Sequence, residues 1–297
     1  MSRSFPSSCR YGSLCLAVVA VSLAAYAQNP TANCSFQLFD LNPSNPANPA
    51  ISAVSSVDKL GTTIGEAIPG HQPPPSLEGF IRYADGTVKY FSPPGAIRTW
   101  LNARNDQGVT VGFYSDAYNN YPGFILRGST IQLLTAPPNA RPTGINNSNT
   151  IAGQYLASNG LWRGFERSSD GSLLDLAYPQ AIGTYPNAIN DRGGIVGEYY
   201  DAQYVEHGFI YSSGKWSTIN YNLGVGTALL GISNSGVVLG VSTSGWGDFL
   251  YKNGGFETLP AVPNSTGTTY NGLSPAGIFT GTATDSAGTH GFLATCQ

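Results

Sequence analysis

One pattern recurs six times along this 297-residue chain: a turn rich in Asn and Asp, a strand that ends in Gly, and a second strand that opens near Gly-Phe. Its fullest copy reads Ile189, Asn190, Asp191, Arg192, Gly193, Gly194, Ile195, Val196, Gly197, followed by His207, Gly208, Phe209, Ile210 and Tyr211. The strand-ending Gly falls at Gly65, Gly112, Gly153, Gly197, Gly240 and Gly281, so successive copies are 47, 41, 44, 43 and 41 residues apart. The Phe keeps step at Phe80, Phe124, Phe165, Phe209, Phe249 and Phe292. A period of this size is the signature of a repeat architecture, in which no unit buries its apolar face alone.

Each copy parses into four short strands, here a to d from the first to the last in the chain. In the fourth copy, a is centred on Ala188 and Ile189, and the Asn/Asp turn leads into b at residues 194–199. Strand c covers 208–211 and d covers 216–220. Asn, Asp and Gly tolerate the backbone that tight turns need, and no helical period survives in any copy. Four antiparallel strands per unit describe a propeller blade, so the expectation is an all-β, six-bladed β-propeller with four-stranded blades. An open stack of hairpins is the rival, and the chain ends argue against it. The sixth copy stops at Gln297 without a strand d. Strand d elsewhere pairs bulky residues three apart, as in Trp216 and Ile219, and Phe36 and Phe39 repeat that spacing near the N-terminus. The N-terminal segment is therefore expected to complete the last blade and close the ring.

Residues 1–27 read as a signal peptide: Arg3 and Arg10 precede an apolar run over 14–25, and Ala25, Tyr26, Ala27 form a small-x-small cleavage site before Gln28. The run is short for a membrane span. The expectation is a secreted protein, extracellular or periplasmic, with one domain over 28–297 and repeats near 57–91, 104–134, 145–176, 189–219, 232–259 and 273–295 plus 34–41. Beyond the leader only Cys34 and Cys296 remain, and aligning Phe36 with Trp216 and Phe292 with Phe209 brings them together at the join. A disulfide is expected there, worth roughly 4–5 kcal/mol in the chain-entropy picture.

The copies 144–153 and 188–197, with the His207-Gly208-Phe209 and His290-Gly291-Phe292 strands, resemble the bacterial extracellular HAF-repeat family, whose motif is His-Ala-Phe. This chain has Gly for Ala, and Glu78, Pro122, Arg163 and Asp248 stand in place of His in the other copies. The resemblance spans nearly all of the chain after the leader. It implies a propeller-like repeat fold and an extracellular location, and no activity.

Subtracting the two leader arginines leaves 12 basic against 17 acidic residues, a net charge of −5. That excludes an electrostatic case for nucleic acid or an anionic membrane as partner. The d-to-a connections (43–53, 92–101, 136–144, 178–187, 220–230 and 260–271) and the b-to-c loops vary between copies and share one face, where binding residues tend to concentrate. None of those d-to-a connections holds Asp, Glu, His or Cys, so neither a metal site nor an acid/base pair is expected there, and no cofactor is implied. The acids Glu66, Asp116, Glu198, Asp201, Glu206 and Asp285 read as solvated carboxylates of the b-to-c loops, and His207 and His290 as structural. No calcium-loop spacing, nucleophile turn or phosphate loop occurs.

The aromatics of the same loops are the binding candidates: Tyr114, Tyr118, Tyr121, Tyr155, Trp162, Tyr199, Tyr200, Tyr204 and Trp246. Flat rings with polar tips beside Asn, Ser and Gly suit sugars or peptides. The sequence thus points to a monomeric, non-enzymatic binding module for an extracellular glycan or protein. A propeller hydrolase or lyase acting on a polysaccharide and a structural envelope or matrix component are the alternatives.

Overall fold

The structure is a computed structural model that describes residues 30–42, 50–68, 77–221, 226–243 and 247–297. The expected leader and Trp246 lie outside the described residues. Among the described residues every regular element is a strand. After β1 (Cys34–Phe39), an antiparallel sheet is built in chain order from β2 (Ala50–Val57), β3 (Thr63–Ile68), β4 (Glu78–Arg82) and β5 (Val88–Phe91). The second comprises β6 (Arg98–Arg104), β7 (Val109–Ser115), β8 (Gly123–Arg127) and β9 (Thr130–Leu133).

Next come β10 (Arg141–Ile145), β11 (Ile151–Leu156), β12 (Trp162–Arg167) and β13 (Leu173–Leu176), then β14 (Gly183–Ile189), β15 (Ile195–Tyr200), β16 (Glu206–Ser212) and β17 (Lys215–Ile219). These two antiparallel runs are joined into one eight-stranded sheet by a single parallel pair, Trp162 with Gly183. Another sheet holds β18 (Thr227–Ile232), β19 (Val238–Ser242), β20 (Gly247–Lys252) and β21 (Gly255–Thr258). The last contains β22 (Gly267–Leu273), β23 (Phe279–Thr284) and β24 (Thr289–Cys296), and its outer edge is β1.

The N-terminal strand therefore does complete the last sheet, pairing from Cys34 opposite Cys296 to Phe39 opposite Gly291. The expected disulfide joins that first pair. His290 adds a second clasp: its Nδ1 meets Asp40, just past β1, at 2.7 Å, and its Nε2 meets Asp285 at 3.1 Å. His207 is held in the same way by Asn220 and Asp201, each at 3.1 Å.

The repeat's Gly and Phe have one explanation. Gly65, Gly112, Gly153, Gly197, Gly240 and Gly281 sit directly across the sheet from Phe80, Phe124, Phe165, Phe209, Phe249 and Phe292, and all six rings are essentially fully buried. At Gly197 a Cβ would lie 2.0 Å from the Tyr185 carbonyl, and at Gly112 2.0 Å from that of Trp100. The close approach arises where the innermost strand bulges. Its register shifts by one residue around Ser55, Asn102, Thr143, Asn187, Leu230 and Asn271, the same position in every repeat, and once more around Ser52 in the first. A bulge re-aims the extra side chain, and all six residues at the shared position line a central cavity of about 330 Å³.

The Asn/Asp turns link neighbouring repeats as well as shaping the chain locally. Asn190 Oδ1 accepts the amides of Arg192 (3.1 Å) and Gly194 (2.8 Å), while its Nδ2 donates to the Ser233 carbonyl in the next repeat (2.9 Å). Asn146 donates likewise to Asn190 O, and Asn105 to Asn146 O. Each following residue extends the relay. Lys59 N–H donates to Asp106, Asp106 N–H to Asn147, Asn147 N–H to Asp191 and Asp191 N–H to Asn234, at 2.8–2.9 Å. In the first repeat Asp58 replaces the leading Asn, and the link becomes a buried ion pair with Arg104 at 2.9 Å.

Two sequence expectations need correction. The innermost strands begin at Arg98, Arg141, Gly183, Thr227 and Gly267, so much of each supposed d-to-a connection is strand. Pro142 and Pro186 disguised this, because a proline argues against a central strand unless a bulge adjoins it, as here. Asp248 pairs opposite Val241 as Gly208 pairs opposite Glu198; it therefore replaces the repeat's Gly, not its His. Burial there pushes its carboxyl up to about 6.

Candidate functional site

The b-to-c loops and the starts of the innermost strands share one face of the molecule. Within it, the second to fourth repeats carry a run of rings. Trp100 stacks on Phe113 with centroids 4.7 Å apart, and both flank Tyr121 at 6.4 Å. Trp162 lies 6.1 Å from Tyr185, which meets Tyr200 edge-on at 5.6 Å. Arg141 joins the two groups: its guanidinium carbon is 4.3 Å from the Tyr121 ring centroid, 4.8 Å from Trp162 and 5.5 Å from Phe113. Such cation–ring contacts hold a guanidinium in place while leaving its N–H edge free.

The chain delivers these groups from different repeats. Arg141 opens β10, Phe113 lies on β7, Tyr121 precedes β8 and Trp162 opens β12. Two cavities meet at this junction. One of about 530 Å³ is lined by Ile97, Arg98, Trp100, Phe113, Ser115, Asp116, Asn119, Tyr121 and Arg141. The other, of about 200 Å³, is lined by Asn119, Asn120, Tyr121, Asn139, Arg141, Leu156 and Trp162. The larger falls within the roughly 300–1,000 Å³ usual for small-ligand sites. Burial pulls the Arg141 pKa below its ordinary value.

The nine aromatic candidates separate. Tyr121 and Trp162 line the cavities, and Tyr200 extends the run through Tyr185. Tyr118 and Tyr204 are 86% and 79% exposed at loop tips and line neither cavity. Tyr114 packs on Phe124 at 6.4 Å and Tyr155 on Phe165 at 6.5 Å, where its hydroxyl donates to Asp175 at 2.8 Å. Tyr199 is buried in a 3.6 Å stack with Tyr178. These last three pack against rings of their own repeat and line neither cavity. Arg98, Trp100, Phe113, Arg141 and Tyr185 join the site from strands β6, β7, β10 and β14, and neither acids nor loop rings mark them in the sequence.

Glu66 and Glu198 also differ from expectation. They lie within β3 and β15 rather than in loops, and burial pushes their carboxyls up to about 7 and about 8. Glu198 accepts from Asn187 Nδ2, while the neighbouring Glu206 raises it further. Asn187 lines the central cavity, and its amide also reaches the Leu229 carbonyl at 3.0 Å. Glu66 stands in the same relation to Ser55, 11 residues after the bulge in each case (66 − 55 and 198 − 187). Neither is a solvated surface acid. Asp116, Asp201 and Asp285 are: amide and side-chain donors hold each below the ordinary carboxylate range. Among the described residues no three His, Cys, Asp or Glu side chains cluster as metal ligands, and no helix is long and apolar enough to cross a membrane.

No family model matches this sequence, and no curated protein matches it. Solved structures do match its fold. Virginiamycin B lyase from Staphylococcus aureus, crystallised as a catalytically inactive variant, superposes with a TM-score of 0.51 over 88% of this chain and 99% of its own, at 14% identity. A gluconolactonase from Xanthomonas campestris gives 0.52 over 92% of this chain and 96% of its own, at 13% identity. AofleA from Arthrobotrys oligospora gives 0.50 over 89% and 88%, at 9% identity. At such identities the likeness concerns fold alone. The chain is an all-β protein of the β-propeller type.

Proposed function

We propose that this protein is a secreted, monomeric binding module that recognises an extracellular glycan on the ring-lined face of its second to fourth repeats. The observation that carries this reading is that Trp100, Phe113, Tyr121 and Trp162, bridged by Arg141, line two adjoining cavities with Asn119, Asn120 and Asn139 among them. Rings supply flat apolar area for a sugar face, and Asn side chains supply donors and acceptors for its hydroxyls. We read the eight-stranded sheet as two blades touching at one residue pair, which makes six four-stranded blades, one per sequence repeat. The six repeats support placing the chain with the extracellular HAF-repeat proteins, and the disulfide accords with an oxidising compartment. The test is a glycan array with the disulfide-bonded protein. Binding that Tyr121→Ala and Trp162→Ala abolish supports the reading; an array with no hits, or hits indifferent to both substitutions, contradicts it.

A second reading, a hydrolase or lyase, is favoured by Glu198 and Glu66, whose carboxyls retain protons near neutral pH behind the channel wall, as general acids must. The fold likeness to a lyase and a gluconolactonase is compatible with it. Against it, the larger face cavity holds one carboxylate, Asp116, and the channel lining none. Polysaccharide turnover lost in Glu198→Gln would favour catalysis over binding.

A further inference from the structure

We propose that the groove recognises an acidic saccharide, with the Arg141 guanidinium binding its anionic group. This rests on the glycan-binding reading above and gives the ligand a charge.

Arg141 is a cation fixed by rings, with no ion-pair partner among the described residues. The ion pairs between described residues use Arg104, Arg163, Lys252, His207 and His290, and none includes Arg141. Its Nε is buried with no hydrogen-bond acceptor. Gln154, its cross-strand neighbour, has an Oε1 that is also buried and unbonded, so the adjacent acceptor does not answer the arginine. Leaving a guanidinium donor unpaired in a folded interior is costly, and an anion entering from either cavity would give the Arg141 guanidinium the acceptor it lacks.

The surroundings favour an anion over a neutral sugar. Arg98, exposed on the wall of the larger cavity, adds a second cation. The one carboxylate there, Asp116, is occupied by its own loop: it accepts from Tyr118 N–H (2.8 Å), Asn120 N–H (2.9 Å) and Asn120 Nδ2 (2.8 Å). Two arginines against one such carboxylate leave the groove positive on a chain that is acidic overall. The rings fix the guanidinium before any ligand arrives, which reduces the ordering cost of binding, and a guanidinium offers paired N–H donors to carboxylate or sulfate oxygens.

The test is calorimetric titration of the disulfide-bonded protein with oligogalacturonate, the same oligomer methyl-esterified, and a sulfated oligosaccharide. We expect at least one acidic oligomer to bind about tenfold or more tighter than the ester, as one charge-assisted hydrogen-bond pair allows. Arg141→Gln should erase that preference, Arg141→Lys should restore only part of it, and added salt should weaken the acidic ligand selectively. The two acidic probes separate a carboxylate from a sulfate source. Arg98→Gln changes an exposed side chain and leaves the fold intact; a two- to threefold loss for the acidic oligomer is expected there, which keeps the test decisive if Arg141 variants misfold. Equal binding of ester and acids, or a preference that survives both arginine substitutions, overturns the acidic-ligand inference alone. Failure of every saccharide to bind overturns the glycan reading with it.

Discussion

The Asn turns of one face and the Arg141 junction of the other treat their polar groups in opposite ways. On the turn face, Asn105, Asn146 and Asn190 each use an amide oxygen to close their own turn and an amide nitrogen to reach the next repeat. On the loop face, Arg141 and Gln154 have buried polar atoms that no protein group answers, beside cavities of about 530 and 200 Å³. The same strands serve both. A repeated polar residue saturated by its neighbours builds the scaffold; an unrepeated one left open is where a ligand has something to gain.

The largest effect that would sharpen this contrast is loss of the clasp at the chain ends. Cys34→Ser with Cys296→Ser opens a link between residues 262 apart. It should cost about 3–5 kcal/mol in denaturant melts while ligand affinity stays unchanged under conditions where the protein remains folded. Asn146→Ala comes next. It strips two turn amides of their acceptor and the Asn190 carbonyl of its donor, and a loss of about 3 kcal/mol, again without effect on affinity, is expected. A fall in affinity with no loss of stability would break the division between faces.

A smaller, pH-dependent effect belongs to the channel wall and the closure. Glu198 is raised to about 8 from an ordinary 4.5, so the folded state holds its proton more tightly than the unfolded state. Its contribution is whole below about pH 4.5 and declines as pH rises toward 8. For His290 burial opposes protonation, but Asp285 and Asp40 outweigh it and raise the imidazole, so its contribution also fades as pH rises through the folded value. Thermal melts should therefore show lower stability at pH 8.5 than at pH 5.5, and Glu198→Gln should flatten much of that slope. A flat wild-type profile would contradict the burial of these groups. The smallest effect is Tyr118→Ala at an exposed loop tip, expected to shift stability by less than about 0.5 kcal/mol and to leave glycan affinity as it was.

How far the sequence could be read follows from what each feature depends on. The Gly and Phe positions, the incomplete last repeat and the cysteine pair are set by register within one repeat or by the chain ends, and spacing alone exposes them. The relay through Asn105, Asn146 and Asn190 joins residues 41 to 44 apart. Only stacking reveals that the motif acts on its neighbour as well as on its own turn. A carboxylate near the end of a strand reads as solvated, whereas Glu198 lies in a strand that runs on to Tyr200 and is buried there, a property set by the neighbouring repeat rather than by spacing. Arg141 stayed hidden because it lies in a proline-containing segment read as a loop, and because its partners Tyr121, Trp162 and Phe113 come from two repeats and three strands or loops. A guanidinium between rings has no spacing signature.

The most direct test of the loop-face site is hydrogen exchange by mass spectrometry with oligogalacturonate present and absent. Slower exchange in peptides covering Tyr121, Arg141 and Trp162, with the turns at Asn146 and Asn190 unchanged, is the result this account predicts. Protection confined to those turns, or to the channel residues around Asn187 and Asn271, would contradict it.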